Sequence, residues 1–542
     1  MIDRILRKGS RPHVCIVGAG VAGLRCADVL LQHDVKVTIF EARNRVGGRL
    51  YQGKVGKHLV DLGPNWIHGT HHNPILDLVK ETDTSTHSWD YAEAVFNRMG
   101  SLIPDKRATE LNEVLWEIIG EAFKYSNKNS ISIPVGQSLK EFIEEKLLER
   151  YPDSDTRIDN AAETRAILMD MAKWWGSFVG SPFEKQSLKF FWLEETIDGE
   201  NLFIPGTYEK VLTKIAKPAI EKALLKFDSK VSKITSNNGE NDTCIKVKTV
   251  NGQIKEFDEV VVTTPLGYLQ KNKTLFDPPL PKDLQESIDA PHYGALDKVY
   301  VTFKSAFWNT AGLYSHTNGS ELTSTLVQHA VPNLTATTTQ IHTVPEKLKE
   351  NSAESWPGFT HWLTPEYALP TNPHHWNQES VNMASFTNGL GHPTLLFYIH
   401  EPCSRWLAEK LKSDPAGQQK FLESFFKPYY SLLPGYDESS TDCQPLDFLA
   451  TQWATDELAG EGSYMNFQIG VEAADKDIER MRYGMPERGI WLAGEHTSPF
   501  VAVGTLTGAY WSGEGVAKRI LSAYGITSDE DSESSMENTP KL

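Results

Sequence analysis

Three glycines near the start of the chain follow a short apolar run at the spacing that brings a dinucleotide against a protein backbone. Residues 13–17 predict a buried strand, and the ten residues after the glycines have helical periodicity. Gly18 would permit a tight turn, Gly20 the approach of a pyrophosphate, and Gly23 the packing of the helix on the strand. A second predicted strand ends at Glu41, where a carboxylate can bind both hydroxyls of an adenosine ribose. The spacing therefore predicts a βαβ dinucleotide-binding unit.

The residues after this acidic strand end distinguish FAD from NAD. They read Glu41-Ala-Arg43 and then Arg45-Val-Gly-Gly-Arg49, a pair that resembles the signature of the flavin-containing amine oxidase superfamily. In that family the double glycine and the last arginine approach the FAD diphosphate, and arginines here would neutralise phosphate charge. The resemblance implies cofactor contacts at Ala42, Arg43, Gly48 and Arg49.

A second flavin-contact segment lies more than 400 residues further along the chain. Residues 489–497 predict a buried strand ending in Gly494-Glu495, and the glycine-rich residues 504–513 open a predicted helix. The resemblance implies that Glu495 contacts the ribityl side, and that the helix dipole stabilises negative charge on the flavin. No cysteine follows Cys443, in the region where monoamine oxidases attach their flavin, so we expect non-covalent FAD. The contacts implied here are Glu495, Thr505 and Leu506.

Two further motifs resemble the surroundings of the flavin in this family. Residues 61–69 (DLGPNWIHG) are similar to its flavin-flanking loop, and the Trp-Ile-His-Gly form is similar to polyamine oxidases in particular. Residue 231 stands in a strand-like run where relatives contact the adenine through the main chain. The cofactor contacts implied by these motifs are Gly63, Pro64, Asn65, Trp66 and Val231.

Four residues are the candidates for catalysis. Lys298 stands in a Gly-x-Leu-x-Lys-Val pattern that resembles the lysine holding a water on flavin N5, where a cation can assist oxygen activation. Trp453 and Tyr464 resemble aromatic residues that exclude water and orient the substrate C–H bond. His68, a histidine expected to titrate near neutrality, could set the protonation state of an amine or accept its hydrogen bond.

The substrate contacts are less specific. Trp192, Glu194 and Glu195 place carboxylates among aromatic residues, which would attract an ammonium group, although a core helix with exposed acids is an equal alternative. Gly504 stands where polyamine oxidases often carry a serine that anchors the amine. His68 and Tyr464 complete the predicted substrate contacts.

The length of 542 residues and the motif positions predict an α/β chain of interleaved domains. We expect a discontinuous Rossmann-like FAD-binding domain and an α+β substrate-binding domain, as in the amine oxidase and glutathione reductase-like fold. The predicted FAD-binding parts are 12–80, 200–272 and 441–525, the substrate-binding parts are 81–199 and 273–440, and residues 526–542 form a disordered acidic tail. Residues 315–356 match no family element and are expected to shape the substrate entrance.

Composition excludes several other classes. A formal net charge of −17 argues against a nucleic-acid partner and favours the approach of cations. No run approaches the roughly 20 apolar residues of a membrane helix, and five scattered cysteines suggest neither disulfides nor a metal site. Residues 1–12 do not resemble a secretory signal, so we expect an intracellular protein, cytoplasmic or peroxisomal. Its ending, Pro540-Lys541-Leu542, resembles a degenerate peroxisomal address read by an import receptor.

These inferences together predict an FAD-dependent amine oxidase. A neutral amine would give a hydride from its α-carbon to flavin N5, the imine would be hydrolysed, and O2 would be reduced to hydrogen peroxide. Polyamines are the first substrate choice. A lysine-specific histone demethylase and an L-amino acid oxidase remain alternatives, and a flavin-fold protein of the Rab-escort type remains the non-enzymatic one.

Overall fold

The computed structural model describes residues 10–89, 92–153, 160–236, 244–309 and 355–526. The predicted tail beyond residue 526, including Pro540-Lys541-Leu542, lies outside the described residues, as does most of the 315–356 segment. The peroxisomal address and the role of that segment therefore stay predictions.

The strands are β1 (His13–Val17), β2 (Lys36–Phe40), β3 (Gln52–Val55), β4 (His58–Asp61), β5 (Trp66–Ile67), β6 (Glu93–Phe96), β7 (Leu202–Phe203), β8 (Leu224–Lys226), β9 (Val231–Ser236), β10 (Ile245–Thr249), β11 (Ile254–Phe257), β12 (Glu259–Val262), β13 (Phe276–Asp277), β14 (His292–Gly294), β15 (Leu296–Thr302), β16 (Phe359–Trp362), β17 (Gln378–Asn382), β18 (Thr394–His400), β19 (Asp447–Ala450), β20 (Tyr464–Asn466) and β21 (Ile490–Leu492). The α-helices are α1 (Val21–Gln32), α2 (Pro74–Glu81), α3 (Asp105–Asn129), α4 (Leu139–Arg150), α5 (Ala161–Ala172), α6 (Trp175–Val179), α7 (Glu209–Lys222), α8 (Leu266–Lys271), α9 (Lys282–Asp289), α10 (Cys403–Ser413), α11 (Gln418–Tyr430), α12 (Ala474–Tyr483) and α13 (Leu506–Tyr524).

A five-stranded parallel sheet joins distant parts of the chain in the order β21-β12-β1-β2-β8. Its strands are almost wholly apolar, as expected for a parallel sheet covered on both faces, here by helices on one face and largely by strands β9, β10 and β11 on the other. Helix α1 connects β1 to β2, which is the predicted βαβ unit, and it packs against α7 and α13. The predicted α/β class with a parallel sheet is therefore confirmed.

A second, six-stranded sheet has the order β19-β15-β18-β17-β16-β6 and is antiparallel except where β16 meets β6. Helix α11 covers one face, where Phe426 packs against Phe397 of β18 with ring centroids 4.5 Å apart. The predicted domain boundaries stay predictions, but β19 pairs with β15 although it lies beyond the predicted boundary at residue 440. A boundary after β19 would keep this sheet in one domain.

The opposite face of this sheet carries a row of polar residues. Lys298 of β15 pairs with Tyr398 of β18, Tyr398 with Glu379 of β17, and Glu379 with His361 of β16. Directly paired residues project from the same face of a sheet, so these four side chains form one line across four strands.

Neither a membrane span nor a metal site is found in the part of the chain that the structure describes. None of its helices is long and apolar enough to cross a bilayer. No group of three or more histidines, cysteines, aspartates or glutamates among the described residues is placed to hold a metal ion.

Candidate active site

A cavity of about 440 Å³ extends between the two sheets and connects the N-terminal glycine turn to the C-terminal Gly-Glu segment. Most of the residues predicted from sequence line it, whereas Gly23, Trp192 and Glu195 do not. The predicted residues in the lining are Gly18, Gly20, Glu41, Ala42, Arg43, Gly48, Arg49, Gly63, Pro64, Asn65, Trp66, His68, Glu194, Val231, Lys298, Trp453, Tyr464, Glu495, Gly504, Thr505 and Leu506.

The glycine turn leaves open space in front of helix α1. Gly18 has a φ of +109°, which only glycine adopts readily, and Gly20 is the N-cap of α1 without a side-chain cap. A Cβ on Gly20 would meet no atom within 4 Å, whereas one on Gly23 would lie 2.1 Å from the carbonyl oxygen of Gly18. Gly20 thus faces the cavity and exposes the helix N-terminus to an anion, while Gly23 permits the helix to pack and lies outside the lining.

Glu41 stands directly after β2 and is 7% exposed. Its carboxylate accepts hydrogen bonds from the backbone N–H groups of Ala19 and Arg43, each at 2.7 Å. Two backbone donors hold the carboxylate in place, and its remaining lone pairs can accept from ribose hydroxyls. The hydroxyl of Thr264 also lies buried in the lining without a hydrogen-bond partner among the described residues. These groups fit the adenosine and diphosphate ends of FAD.

Arg43 is engaged by a protein carboxylate. Its Nη2 donates to both carboxylate oxygens of Asp456 at 2.9 Å, and this pair ties the N-terminal motif to the Trp453–Asp456 segment. The sequence predicted that Arg43 neutralises phosphate. The structure places it in the cavity lining with an acidic partner, so its charge is shared.

Arg49 joins the two flavin motifs directly. Its Nη1 donates to the hydroxyl of Tyr293 at 3.0 Å, to Glu495 Oε1 at 3.2 Å and to the carbonyl of Ser463. Burial raises the pKa of Glu495, and the charge of Arg49 opposes that rise. Two motifs separated by more than 400 residues therefore meet as an ion pair in one wall.

Lys298 is buried at the centre of the cavity wall. Its Nζ donates to the carbonyl of Gly63 and to Asn65 Oδ1, which also accepts from the Tyr398 hydroxyl at 3.0 Å. Burial lowers the pKa of Lys298, and the charge of Asp61 opposes this effect. The flavin-flanking loop thus holds the ammonium group of Lys298 in one position.

His68 differs from its prediction in one respect. It lines the cavity, but burial lowers its pKa to about 4. A hydrogen bond with Asn201 raises the pKa by a smaller amount. The expectation that His68 titrates near neutrality is therefore wrong, because the desolvated imidazolium is costly in this site. His68 is neutral above about pH 5 and can act as a hydrogen-bond partner.

Trp453 and Tyr464 stand in the lining as predicted from sequence. The Trp453 Nε1 donates to the carbonyl of Leu62 at 3.0 Å, and the Tyr464 hydroxyl donates to the carbonyl of Phe178 at 2.7 Å. Both rings are thereby fixed at the cavity surface. A Cβ on Gly504 would make only an ordinary van der Waals contact with the Tyr464 ring, at 3.4 Å, but the φ of +75° at this position favours glycine.

Asp297, which sequence reasoning missed, fixes the backbone near Trp453. Its buried carboxylate accepts from the hydroxyls of Thr451 and Ser404 and from the N–H groups of Trp453 and Ala454, at 2.7–3.3 Å. Its position just before Lys298 gave no signal, because its four donors come from segments more than 100 residues away.

The predicted substrate wall of Trp192, Glu194 and Glu195 is only partly at the cavity. These residues lie in and just after a short 3-10 turn, Phe191–Glu194, rather than in a helix. Glu194 lines the cavity and burial raises its pKa to about 7. Trp192 instead packs edge-on against Phe500, and Glu195 accepts a 3.4 Å hydrogen bond from Asn127, so neither stands in the cavity lining and their substrate contact stays a prediction. The tight turn points successive side chains in different directions, which the sequence pattern did not indicate.

The cavity also has lining residues that no motif predicted. Glu93, His361, Glu379 and Tyr398 face it from the six-stranded sheet. The signal that could have found Tyr398 is a polar residue inside the otherwise apolar strand β18, whereas β17 is mostly polar and gave no such signal for Glu379. Their meeting depends on strand register, which the sequence pattern leaves open.

Comparisons with known proteins agree with the motifs at this cavity. The chain matches the family of flavin containing amine oxidoreductases over residues 21–347 and 367–521. It is 27% identical to the Corticosteroid-binding protein of Candida albicans over 94% of this chain and 95% of that protein. It is 23% identical to Polyamine oxidase 3 of Oryza sativa subsp. japonica over 94% of this chain and 89% of that protein. With Probable polyamine oxidase 4 of Arabidopsis thaliana it shares 25% identity over 57% of this chain and 61% of that protein.

Proposed function

The chain belongs to the flavin containing amine oxidoreductase family and uses non-covalent FAD, and from this premise we propose that it oxidises a polyamine at an α-carbon, with O2 as the final electron acceptor. The observation that carries the proposal is a single cavity lining that contains the flavin-motif residues, the buried Lys298 and half-buried carboxylates such as Glu194. A buried carboxylate favours a cationic amine over a neutral or anionic ligand.

Different residues of the lining have different roles in this reaction. FAD, when bound, accepts the hydride and passes the electrons to oxygen. Trp453 and Tyr464 exclude water and fix the direction from which the substrate approaches. Glu194 attracts the ammonium form from solution. Neutral His68 is a hydrogen-bond partner for the amine, and its low pKa makes it a poor acceptor for the amine proton.

The proposal is tested by anaerobic reduction of the bound flavin. Spermine, spermidine, their acetylated forms, monoamines, L-amino acids and a methyl-lysine peptide are each mixed with the purified holoenzyme, and the flavin absorbance is followed. We expect the polyamines to bleach the flavin fastest and to yield hydrogen peroxide once oxygen is admitted. Bleaching by L-amino acids or the peptide alone would overturn the substrate choice, and bleaching by none of these compounds would overturn amine oxidation itself.

The pH dependence of kcat/KM distinguishes the titration of His68 from the titration of the substrate amine. An alkylammonium ion has no lone pair with which to drive hydride loss, so we expect kcat/KM to rise with pH as the amine loses its proton. Because the pKa of His68 is about 4, we expect His68→Asn to lower kcat/KM by about tenfold, the cost of roughly one hydrogen bond, without moving the rising limb. Steady-state kinetics from about pH 5.5 to 10 check this, and a shift of the limb by a full pH unit or more would contradict it.

A further inference from the structure

The row of polar residues on the six-stranded sheet leads away from Lys298 along the cavity. Glu379 lies two strands from Lys298 and His361 lies three strands away. Neighbouring strands are separated by roughly 4.8 Å, so Glu379 and His361 stand about 10 and about 14 Å from Lys298. Glu93 lies on β6, the next strand of the same sheet.

The polar groups at the far end of this row lack the partners that buried groups normally have. His361 is 4% exposed, and neither ring nitrogen makes a hydrogen bond among the described residues. Its Nδ1 lies 3.6 Å from Glu379 Oε2 and its Nε2 lies 4.0 Å from Glu93 Oε2, beyond hydrogen-bond range. Glu93 Oε2 is buried and likewise without a partner in the described part of the chain. Buried polar atoms are nearly always paired, so this set indicates a missing ligand.

The charges and surfaces around these groups fit a cation. Among the described residues, no lysine or arginine forms an ion pair with Glu93 or Glu379. Burial, together with the charge of Glu379, raises the pKa of Glu93 to about 8, and burial raises the pKa of Glu379 to about 8. Trp174 stacks on His361 with ring centroids 3.8 Å apart, and Trp175 also lines the cavity. Aromatic faces next to carboxylates favour an ammonium group.

We propose that Glu93, Glu379 and His361 form a subsite for a second ammonium group of the substrate, at the end of the cavity remote from the flavin motifs. The inference rests on the proposed function and deepens it: the enzyme would select amines whose second cationic nitrogen lies far enough from the reacting carbon to span the row. A bound ammonium donates hydrogen bonds to the Glu93 and Glu379 carboxylates and to one ring nitrogen of His361. This arrangement satisfies the unpaired groups and keeps both carboxylates ionised.

A binding measurement tests the subsite without turnover. The holoenzyme, with its FAD chemically reduced under anaerobic conditions, cannot oxidise an amine, so calorimetry gives the Kd alone. An α,ω-diamine of about ten carbons, long enough to cover the row, is compared with the monoamine of equal length. We expect the wild type to bind the diamine more tightly, and E379Q and E93Q each to weaken diamine binding by about 10- to 100-fold, the effect of a charge-assisted hydrogen bond. We expect both variants to bind the monoamine with a Kd within about twofold of the wild-type value.

The control is Glu113→Gln, which removes the same charge from an exposed position on α3, next to Asn112 of the cavity lining. It should change neither Kd, and thermal unfolding establishes that all the variants fold. Equal weakening of the diamine and the monoamine, or no weakening of either, would overturn the subsite. A wild type that prefers the diamine in this measurement while no amine bleaches its oxidised flavin would refute the proposed function and leave the subsite standing.

Discussion

Reoxidation of the reduced enzyme by oxygen is expected to slow by about 100-fold when Lys298 is replaced by methionine, the lower end of what a positioned proton donor contributes. The Nζ of Lys298 is fixed by the carbonyl of Gly63 and by Asn65 Oδ1, so its charge and its protons are held at one place in the lining. Methionine has a similar length but carries neither. Stopped-flow mixing of reduced enzyme with oxygenated buffer measures the rate, and flavin reduction by the amine is followed separately.

The matched control for this change is Lys304→Met, just beyond the end of β15. The Lys304 side chain is 63% exposed and pairs with Asp442 at the surface. We expect the Lys304→Met enzyme to reoxidise at the wild-type rate. An exposed ion pair contributes little to stability, and this one lies away from the cavity. If Lys298→Met reoxidised as fast as this control with its flavin bound, Lys298 would have no role in the oxygen reaction.

The second large effect is expected from Gly513→Ala in α13. A Cβ at this position would lie 2.1 Å from the backbone oxygen of Ala22 in α1, so the two helices would have to separate. Overpacking of this kind costs about 1–3 kcal/mol, and the backbone contact places Gly513 near the upper end of that range. Because the N-terminus of α1 faces the cavity at Gly20, we also expect weaker retention of FAD. Denaturant unfolding followed by flavin fluorescence measures both effects.

The same helix supplies the control, Gly515→Ala. A Cβ on Gly515 would meet no atom within 4 Å, so the change tests helix propensity alone. Removing a glycine from a helix interior should stabilise the protein by roughly 0.5–1 kcal/mol. Opposite signs for the two substitutions would confirm that the contact between α1 and α13 needs Gly513, and equal losses would contradict that conclusion.

The elements that carry the flavin motifs could be predicted from local pattern. The apolar run of β1, the glycines and the periodicity of α1 lie within about 20 residues, and both the conformation and the chemistry follow from residues close in sequence. The turn at residues 191–194 could not be predicted in the same way, because aromatic and acidic residues fit a helix face and an irregular turn equally well. The pKa of His68 also could not be predicted, because it depends on burial by residues from other segments.

The sequence by itself determined the βαβ unit, because the spacing of its glycines is fixed by backbone geometry. It also indicated the family and the FAD cofactor, through the resemblance of short motifs to those of the flavin-containing amine oxidases. Tertiary structure alone decided how the cavity continues beyond the flavin motifs. The register of β15, β18, β17 and β16 aligns Lys298 with Glu379 and His361. The Asp297 carboxylate accepts hydrogen bonds from donors in distant segments of the chain. A shift of one residue in any of these strands would turn its side chain to the opposite face. Packing of both faces fixes that register, and no local pattern in the sequence encodes it.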